Sequence, residues 1–520
     1  DQGGECDLQD QAMAYGRAGS RYDENKRAVE DKNMGPLVKT IMTRCIQCTR
    51  CVRFAAEVGG VEELGMISRG ENAEITTYLE KSLTSELSGN VIDLCPVGAL
   101  TSKPYAFNAR PWELRKTSSI DVMDAMGAAI RVDAKGDGVM RILPEVSEGI
   151  NEEWLSDKSR FIWDGLARQR LDKPYIRENG KLRPANWGEA FAAVKEALSA
   201  SPEKIGVVAG DLIEVEQAKA ALDFFRGLGV ENTDCRPAGA QYGTDGVRER
   251  YILNGTLAGV EDADALLLIG TNPRVEAAVW NARIRKAWLW ADLKVGRIGE
   301  AADLTYEHAW LGDGASALTD IRNSDFGKVL SDAERPMIVV GEGALCGEDG
   351  AAVLAKALEL TNEIGAIKDG WAGFGVLHNA AGRVGALDIG FVPGEGGAAT
   401  AEILSGGMDT VVLLGADELD LSGLGDAKVI YIGSHGDAGA ARADIILPSA
   451  AYTEMSATFV NTEGRVQMTS RAVQPKGEVR EGWAIFRALS EVVGKKLPYD
   501  TADALRAELR GPEGESTTFS

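Results

Sequence analysis

The sequence Cys45-Ile-Gln-Cys48-Thr-Arg-Cys51 places three cysteines at intervals of three positions, and a fourth, Cys95, stands directly before Pro96. Three closely spaced thiolates with a distant Cys-Pro pair are typical of a chain that binds a cubane iron–sulfur cluster. The proline fixes φ and removes a backbone donor, so the chain turns away from the cluster. The pattern predicts a small domain in which Cys45, Cys48, Cys51 and Cys95 hold one [4Fe–4S] cluster.

Zinc and disulfide bonds are the alternatives for these four cysteines. Zinc favours two Cys-x2-Cys pairs or a mixture of Cys and His, which a third cysteine at the same short spacing suits poorly. A disulfide framework is unusual in a chain with 7 Cys among 520 residues, four of them in one motif. Cys235 and Cys346 stand alone and are interpreted as small buried apolar residues. We therefore favour the cluster.

Charge and hydropathy exclude several classes of partner. The net charge is −23, from 79 acidic and 56 basic residues, which disfavours nucleic acid and anionic membrane surfaces. No apolar run approaches the ~20 residues of a membrane-spanning helix, so membrane contact is expected only through a partner. Iron–sulfur chemistry with few cysteines indicates a reducing compartment.

The chain is predicted to be α/β and to divide into three regions. Residues 1–110 form the iron–sulfur region, which also carries two extended pieces at 65–69 and 74–78, separated by a Gly-Glu-Asn turn. Residues 111–170 are rich in β structure, with a hairpin that turns at 135–138. Residues 171–520 begin with a linker at 171–180 and continue as alternating strands and helices, which indicates parallel sheets with helices on both faces. The strands are expected at 204–209, 265–269, 336–341, 410–414 and 428–432, and the helices at 214–228 and 274–291.

No catalytic residue is expected from these patterns. The stretch Gly341-Glu-Gly-Ala-Leu-Cys346 has a cysteine where the third glycine of a dinucleotide fingerprint belongs, and a turn between strand and helix explains it as well. The three histidines, His308, His378 and His435, share no metal-binding spacing. The large region therefore presents no convincing nucleotide or flavin site.

Several stretches resemble the large iron–sulfur subunit of respiratory complex I, the NADH:quinone oxidoreductase. Residues 1–10, 43–54 and 92–101 carry the cysteine motifs of that family, and Gly270-Thr-Asn-Pro-Arg274 and residues 458–467 are similar to its molybdopterin-oxidoreductase-like domain. The resemblance implies a subunit that passes single electrons from the NADH and flavin end toward quinone, without an active site of its own. It also implies other peripheral-arm subunits as partners, including the flavin-binding subunit and neighbouring iron–sulfur subunits. The location implied is peripheral, on the cytoplasmic face of a bacterial inner membrane or the matrix face of the mitochondrial one.

The resemblance also implies a role for Cys6. In this family one cluster is held by a histidine and three cysteines in the order H-x3-C-x2-C-x5-C, and Cys6 matches the last of these ligands. The sequence starts after the preceding cysteine, so this second site is expected to be incomplete and the chain to be truncated at its N-terminus. The family's ferredoxin-like domain with a [2Fe–2S] cluster is expected on the missing part.

One departure from catalytic molybdopterin enzymes bears on the expected cofactors. Catalytic relatives such as formate dehydrogenases carry a further cluster motif, but residues 118–127 contain no cysteine. We therefore expect neither molybdenum nor pterin, although a catalytic molybdopterin oxidoreductase and a non-redox interaction scaffold stay open as alternatives.

Arg44, Arg50 and Arg53 flank the predicted cluster, where they either favour its reduced form or pair with acidic residues.

Overall fold

The structure is a computed structural model that describes residues 2–17, 19–243, 246–510 and 519. The acidic stretch at 511–518, expected to be flexible, lies outside them. The α-helices are Asp7–Tyr15, Arg50–Arg53, Asn90–Leu94, Asp157–Phe161, Trp187–Ala197, Val215–Gly227, Pro273–Glu276, Ala278–Trp290, Ala315–Asp320, Asp325–Asp332, Glu342–Leu345, Gly350–Glu363, Arg383–Asp388, Thr400–Leu404, Ala438–Arg442, Gly482–Val493 and Ala502–Arg510. Among the described helices, none has both the length and the apolar character to cross a bilayer.

Two sheets built largely of parallel strands form the α/β region. The first has seven strands in the spatial order Thr233–Asp234, Ile205–Ala209, Thr410–Leu414, Lys428–Gly433, Ile445–Pro448, Tyr175–Glu178 and Lys181–Pro184. The second has five parallel strands in the order Ala309–Trp310, Lys294–Ile298, Ala265–Ile269, Pro336–Gly341 and Phe374–Leu377. The strands predicted from buried apolar runs are all present in these sheets.

Both faces of the central strands of each sheet are buried. Val207 and Val412 of the seven-stranded sheet contribute to one apolar core, and their neighbours Val208 and Val411 contribute to another. The five-stranded sheet shares the first of these cores and turns its alternate residues, such as Leu266, into a third. Burial on both faces explains why these strands are continuous apolar runs without alternation.

The stretch at 171–180 contains a strand, so its prediction as a linker was wrong. Tyr175–Glu178 pairs with Lys181–Pro184 through Asn179 and Gly180, whose φ values of 51° and 78° suit a two-residue hairpin turn. The hairpin extends the seven-stranded sheet by antiparallel pairing with Ile445–Pro448. The Asn179-Gly180 pair is the sequence signal for this hairpin turn. The neighbouring proline and charged residues made the stretch look like a linker instead.

The predicted helix at 274–291 is interrupted. Ala277, with φ −146°, separates Pro273–Glu276 from Ala278–Trp290. Asn272, expected to cap this helix, accepts no capping hydrogen bond; its own N–H donates to the Glu276 carboxylate at 3.0 Å. Asn272 thus occupies the N-cap position with Pro273 directly after it, but the Glu276 carboxylate takes over the hydrogen bonding at this end.

Small antiparallel units make up the N-terminal third. The β-rich region is a three-stranded sheet of Arg115–Ile120, Ala129–Lys135 and Gly138–Pro144, which confirms the predicted hairpin and adds a strand. In the iron–sulfur region Val38–Thr40 pairs with Leu100–Ser102. The two predicted extended pieces are the strands Leu64–Ile67 and Glu74–Thr77, which pair with each other. Two further hairpins in the α/β region pair Ile367–Lys368 with Trp371–Ala372 and Thr458–Val460 with Val466–Met468.

Candidate metal centre

The four cysteines of the motif line one cavity in the N-terminal region. Cys45 follows a short 3-10 turn, Cys51 lies in the helix Arg50–Arg53, and Cys95 ends the helix Asn90–Leu94. All seven cysteines of the chain are free thiols. The cavity is completed by Met42, Ile46, Thr49, Arg50, Ile75, Pro96, Val97, Ala99 and Leu100.

A short sheet holds the two halves of the motif together. Ile41 donates its N–H to the carbonyl of Ala99 at 2.8 Å, next to the pairing of Val38–Thr40 with Leu100–Ser102. Cys45 and Cys95 therefore each stand a few residues from the same two strands. This explains how a cysteine so far along the chain reaches the other three.

The loop between the cysteines has an unusual backbone. Gln47 and Thr49 have φ of 52° and 61°, a region that residues with a β-carbon rarely adopt. The N–H of Gln47 points at the sulfur of Cys45, 3.4 Å away. The Thr49 hydroxyl donates to the carbonyl of Cys48 at 2.7 Å. This turn could not be predicted, since neither residue type signals left-handed backbone.

The surroundings of Cys45 and Cys51 disfavour their free thiolates. Burial raises the pKa of the Cys45 thiol and raises that of Cys51 to about 12. The nearby Cys95 raises both further, since a second thiolate repels the first. At neutral pH these groups become thiolates only when a cation compensates their charge, as a bound metal core does.

The four thiols that line the cavity match the number of ligands that a cubane cluster requires. A cubane distributes its ligands over four irons, so each thiolate approaches a different corner. The residues present fit such a group, with Cys45, Cys48, Cys51 and Cys95 as its holders.

Cys6 lies beside this cavity but does not line it. Its thiol is buried, caps the helix Asp7–Tyr15 and accepts the N–H of Gln9 at 3.3 Å. The N–H of Leu8 donates to the Pro96 carbonyl at 3.1 Å. The structure thus brings Cys6 next to the Cys95-Pro96 turn, an adjacency that no spacing in the sequence predicts.

The three arginines near the motif are exposed. Among the described residues, neither Arg44, Arg50 nor Arg53 forms an ion pair, so the alternative in which they pair with acidic neighbours is not seen. Arg50 lines the cavity itself. Solvent screens these charges, which limits their effect on anything bound there.

The iron–sulfur region is fixed to the α/β region by packing and hydrogen bonds. Ala278, Val279 and Ala282 of the helix Ala278–Trp290 belong to the same apolar core as Phe54 and Leu100. A π-helical turn, Phe54–Gly59, continues the helix Arg50–Arg53 and ends at Gly60. Arg285 then donates to the carbonyls of Ala56 and Glu57, at 2.8 and 3.0 Å.

Three family models match the chain. "NADH-quinone oxidoreductase subunit 3, ferredoxin-like domain" matches residues 35–101, which contain the four cysteines. "NADH-ubiquinone oxidoreductase NDSU1/NuoG-like, 4Fe-4S domain" matches residues 114–164, a stretch without cysteine in this sequence. "Molybdopterin oxidoreductase" matches residues 170–492.

Similar proteins carry related names. The NADH-ubiquinone oxidoreductase 78 kDa subunit of Neurospora crassa is 52% identical over 97% of this chain and 69% of its own length. The mitochondrial NADH dehydrogenase [ubiquinone] iron-sulfur protein 1 of Solanum tuberosum is 49% identical over 98% of this chain and 69% of its own length. Among solved structures, acetylene hydratase from Pelobacter acetylenicus superimposes with a TM-score of 0.58 at 14% identity, over 76% of this chain and 71% of that one. This last likeness concerns the fold alone.

Proposed function

Since the chain belongs to the family of the large iron–sulfur subunit of complex I, the NADH:quinone oxidoreductase, we propose that it relays electrons within that enzyme. A [4Fe–4S] cluster supplies reversible one-electron transfer with little rearrangement. The single observation that carries the proposal is the cavity lined by all four cysteines of the motif. The chain itself then holds, orients and shields the redox group, and the oxidation of NADH takes place on another subunit.

In this proposal the four motif cysteines bind the cluster, and the residues around them set its potential. Cys45, Cys48, Cys51 and Cys95 each ligate one iron of the cubane. The Gln47 N–H, aimed at the Cys45 sulfur, stabilises the extra negative charge of the reduced state. Met42, Ile75 and Leu100 keep water from the sulfurs on the buried side of the cavity. These contacts support a relay, because hydrogen bonds to sulfur and solvent exclusion are what set a cluster's potential.

Cys6 is proposed as one ligand of a second cluster. Its thiol stands beside the Cys95-Pro96 turn, and one thiolate cannot hold a cubane. The remaining His and two Cys ligands implied by the family are not among residues 1–520 in the required spacing. The [2Fe–2S] cluster of the family is likewise assigned no residue of this sequence.

We infer that the α/β region does not use the cofactor of molybdopterin enzymes. The cleft between the carboxyl ends of its two sheets is lined by Asp211, Glu342, Asp417, Glu418 and Asp437. Its buried arginine, Arg383, is already paired with Asp211 at 2.8 Å and with Glu342 at 3.4 Å. The pterin cofactor of this fold family is anionic, so these carboxylates oppose its binding.

The proposed partners are the flavin-binding subunit and the neighbouring iron–sulfur subunits of the peripheral arm. The proposed location follows from the same membership: the cytoplasmic face of a bacterial inner membrane or the matrix face of the mitochondrial one. Contact with the membrane would then pass through the complex. Cross-linking of the assembled complex with mass spectrometry would test both the neighbours and the side of the membrane.

Elemental analysis with electron paramagnetic resonance tests the relay. The chain is purified without oxygen, its iron and molybdenum are measured together, and the reduced sample is examined for a cubane signal. We expect about four irons per chain, no molybdenum and a reducible cluster. Stoichiometric molybdenum would instead make the α/β region a catalytic site. A cluster that resists reduction within the physiological range would leave only a structural role.

A further inference from the structure

One cavity of the α/β region has no role in the proposed relay. It opens at the carboxyl ends of the strands Thr410–Leu414, Lys428–Gly433 and Ile445–Pro448 and has a volume of about 450 Å³. The carboxyl ends of parallel strands are where open α/β sheets bind ligands. A cavity of this volume can hold a small organic molecule.

The cavity wall is acidic. Glu214 is 4% exposed, and within the described residues its carboxyl group forms no ion pair. Burial raises its pKa to about 8, and the neighbouring acids Glu216 and Glu481 raise it as well. Asp417, whose pKa is also raised by burial, lines the same cavity, and Asp437 stands at its exposed mouth. Buried carboxyl groups of this kind normally have a cationic partner.

The positive charges nearby already have acidic neighbours. Arg168 lies 76% exposed at the mouth, with Asp164 at 3.8 Å. Arg170 pairs with the buried carboxylate of Glu454 at 2.6 Å. Burial lowers the pKa of His435, so its ring is neutral at pH 7. The cavity therefore keeps an excess of acidic groups.

A polar atom without a partner points to a ligand in the same place. Tyr452 is 6% exposed, and its hydroxyl oxygen is buried without a hydrogen-bond partner in the described structure. Its side chain lines the cavity together with the apolar residues Leu166, Ile213 and Met455. A buried hydroxyl that lacks a partner is costly, and a ligand that donates a hydrogen bond removes that cost.

We propose that this cavity binds a small organic cation, an ammonium or guanidinium group on an apolar body, with Glu214 as the anionic partner and Tyr452 as a hydrogen-bond acceptor. Binding of the cation releases the proton of the buried Glu214 carboxyl group to solvent. The apolar wall then contacts the body of the ligand, and the aromatic rings of Tyr431 and Tyr452 add favourable contacts with its charge. A phosphate-bearing ligand would face Glu214, Asp417 and Asp437 without a free counter-charge. The proposal is independent of the relay function.

Calorimetry on the full chain tests the proposal, with agmatine and 1,4-diaminobutane as cationic probes and 1,4-butanediol as the neutral counterpart. We expect one site per chain for the cations and none for the diol. Glu214→Gln should weaken agmatine binding by about tenfold or more, because a charge-assisted hydrogen bond is lost. Glu196→Gln, which removes an exposed carboxylate outside the cavity, is the matched control and should leave the affinity unchanged.

A second variant keeps the test decisive if Glu214→Gln fails to fold. Leu212 is 49% exposed and lines the cavity, so Leu212→Trp should fill its mouth and abolish binding without changing its charge. Equal loss of affinity in Glu196→Gln would mean non-specific attraction to an acidic protein and would overturn the proposal. Binding of guanosine monophosphate in place of the amines would overturn it as well.

Discussion

The side chain of Cys6 lies against Gly98, three residues beyond Cys95. A β-carbon built on Gly98 would come within 3.0 Å of the β-carbon of Cys6. Gly98 also has φ +61°, a conformation that favours glycine. The absence of a side chain at this one position allows the segment of Cys6 to lie beside the cavity of the other four cysteines.

Substitution of Gly98 by alanine should therefore destabilise the iron–sulfur region in two ways. The left-handed backbone alone costs about 1 kcal/mol with a β-carbon. The contact with Cys6 should add about 1–3 kcal/mol through overpacking. Gly136→Ala is a matched control, since Gly136 has the same φ but open space around it. Urea unfolding followed by the visible absorbance of the cluster would separate the two effects, and equal losses in both variants would contradict the contact.

Removal of one motif cysteine should cost most of the iron. Cys95→Ser replaces a soft thiolate with a hydroxyl that binds iron poorly at neutral pH, so the cluster should be lost or reduced in iron content. Iron analysis per chain measures the loss. Cys346→Ser is the control, because Cys346 lies outside the cavity and donates its thiol hydrogen to the carbonyl of Glu342. An unchanged iron content in the Cys95→Ser variant would show that Cys95 is not a ligand of the cluster.

Charge reversal at Arg50 should lower the midpoint potential of the cluster. Arg50 lines the cavity, and a negative side chain there opposes the addition of an electron. Exposure and salt limit the change to a few tens of millivolts. Arg44→Glu should shift the potential in the same direction, but by less, because Arg44 does not line the cavity. A redox titration would measure both, with Arg69→Glu on the exposed hairpin as the control; the same shift in all three variants would contradict a local effect.

The pH dependence of stability should change in Glu214→Gln. In the parent protein the native carboxyl keeps its proton up to a pKa of about 8, whereas the unfolded chain loses it near 4.5. The stability that this proton contributes is therefore present below pH 4.5 and is lost as the pH rises toward 8. Glutamine cannot ionise, so the variant should gain stability relative to the parent between pH 5 and pH 8, by up to several kcal/mol.

Urea unfolding at both pH values, without added amines, measures that gain. All other groups titrate alike in the two proteins, so their contributions cancel in the difference. Glu196→Gln should show the same difference from the parent at pH 5 and pH 8, since its carboxylate is exposed. A constant difference for Glu214→Gln would mean that Glu214 titrates normally.

The regular elements were predictable because their signals are local. Ala265–Ile269 and Thr410–Leu414 are buried on both faces. Such strands consist of continuous apolar residues, which are easily recognised in a sequence. The hairpin turning at Gly136 was equally clear. The strand Arg115–Ile120 was missed because its residues are mostly polar and only its last two are buried. The linker at 171–180 proved to be a strand for a related reason, since an edge hairpin needs few apolar residues.

The four cysteines of the site were predictable as a set, whereas the environment around them was not. Spacing indicates which thiols converge, but the left-handed turns at Gln47 and Thr49 depend on the surrounding contacts. The exposed state of Arg50 and the buried, unpaired state of Glu214 likewise depend on which elements pack nearby. Such properties arise from tertiary contacts between residues far apart in the chain, which a single sequence does not specify.

The docking of the helix end at Gly60 onto Arg285 has a consequence for the speed of electron transfer. The rate of electron tunnelling between two redox centres falls steeply as their separation grows. Even small movements of the region that carries the cluster would therefore change the rate of electron transfer. A β-carbon at Gly60 would lie within 2.7 Å of atoms of both Thr305 and Arg285, which shows how closely the two regions fit. In this proposal the large α/β region has no catalytic group of its own. It then serves as a rigid support that keeps the distance between redox centres constant.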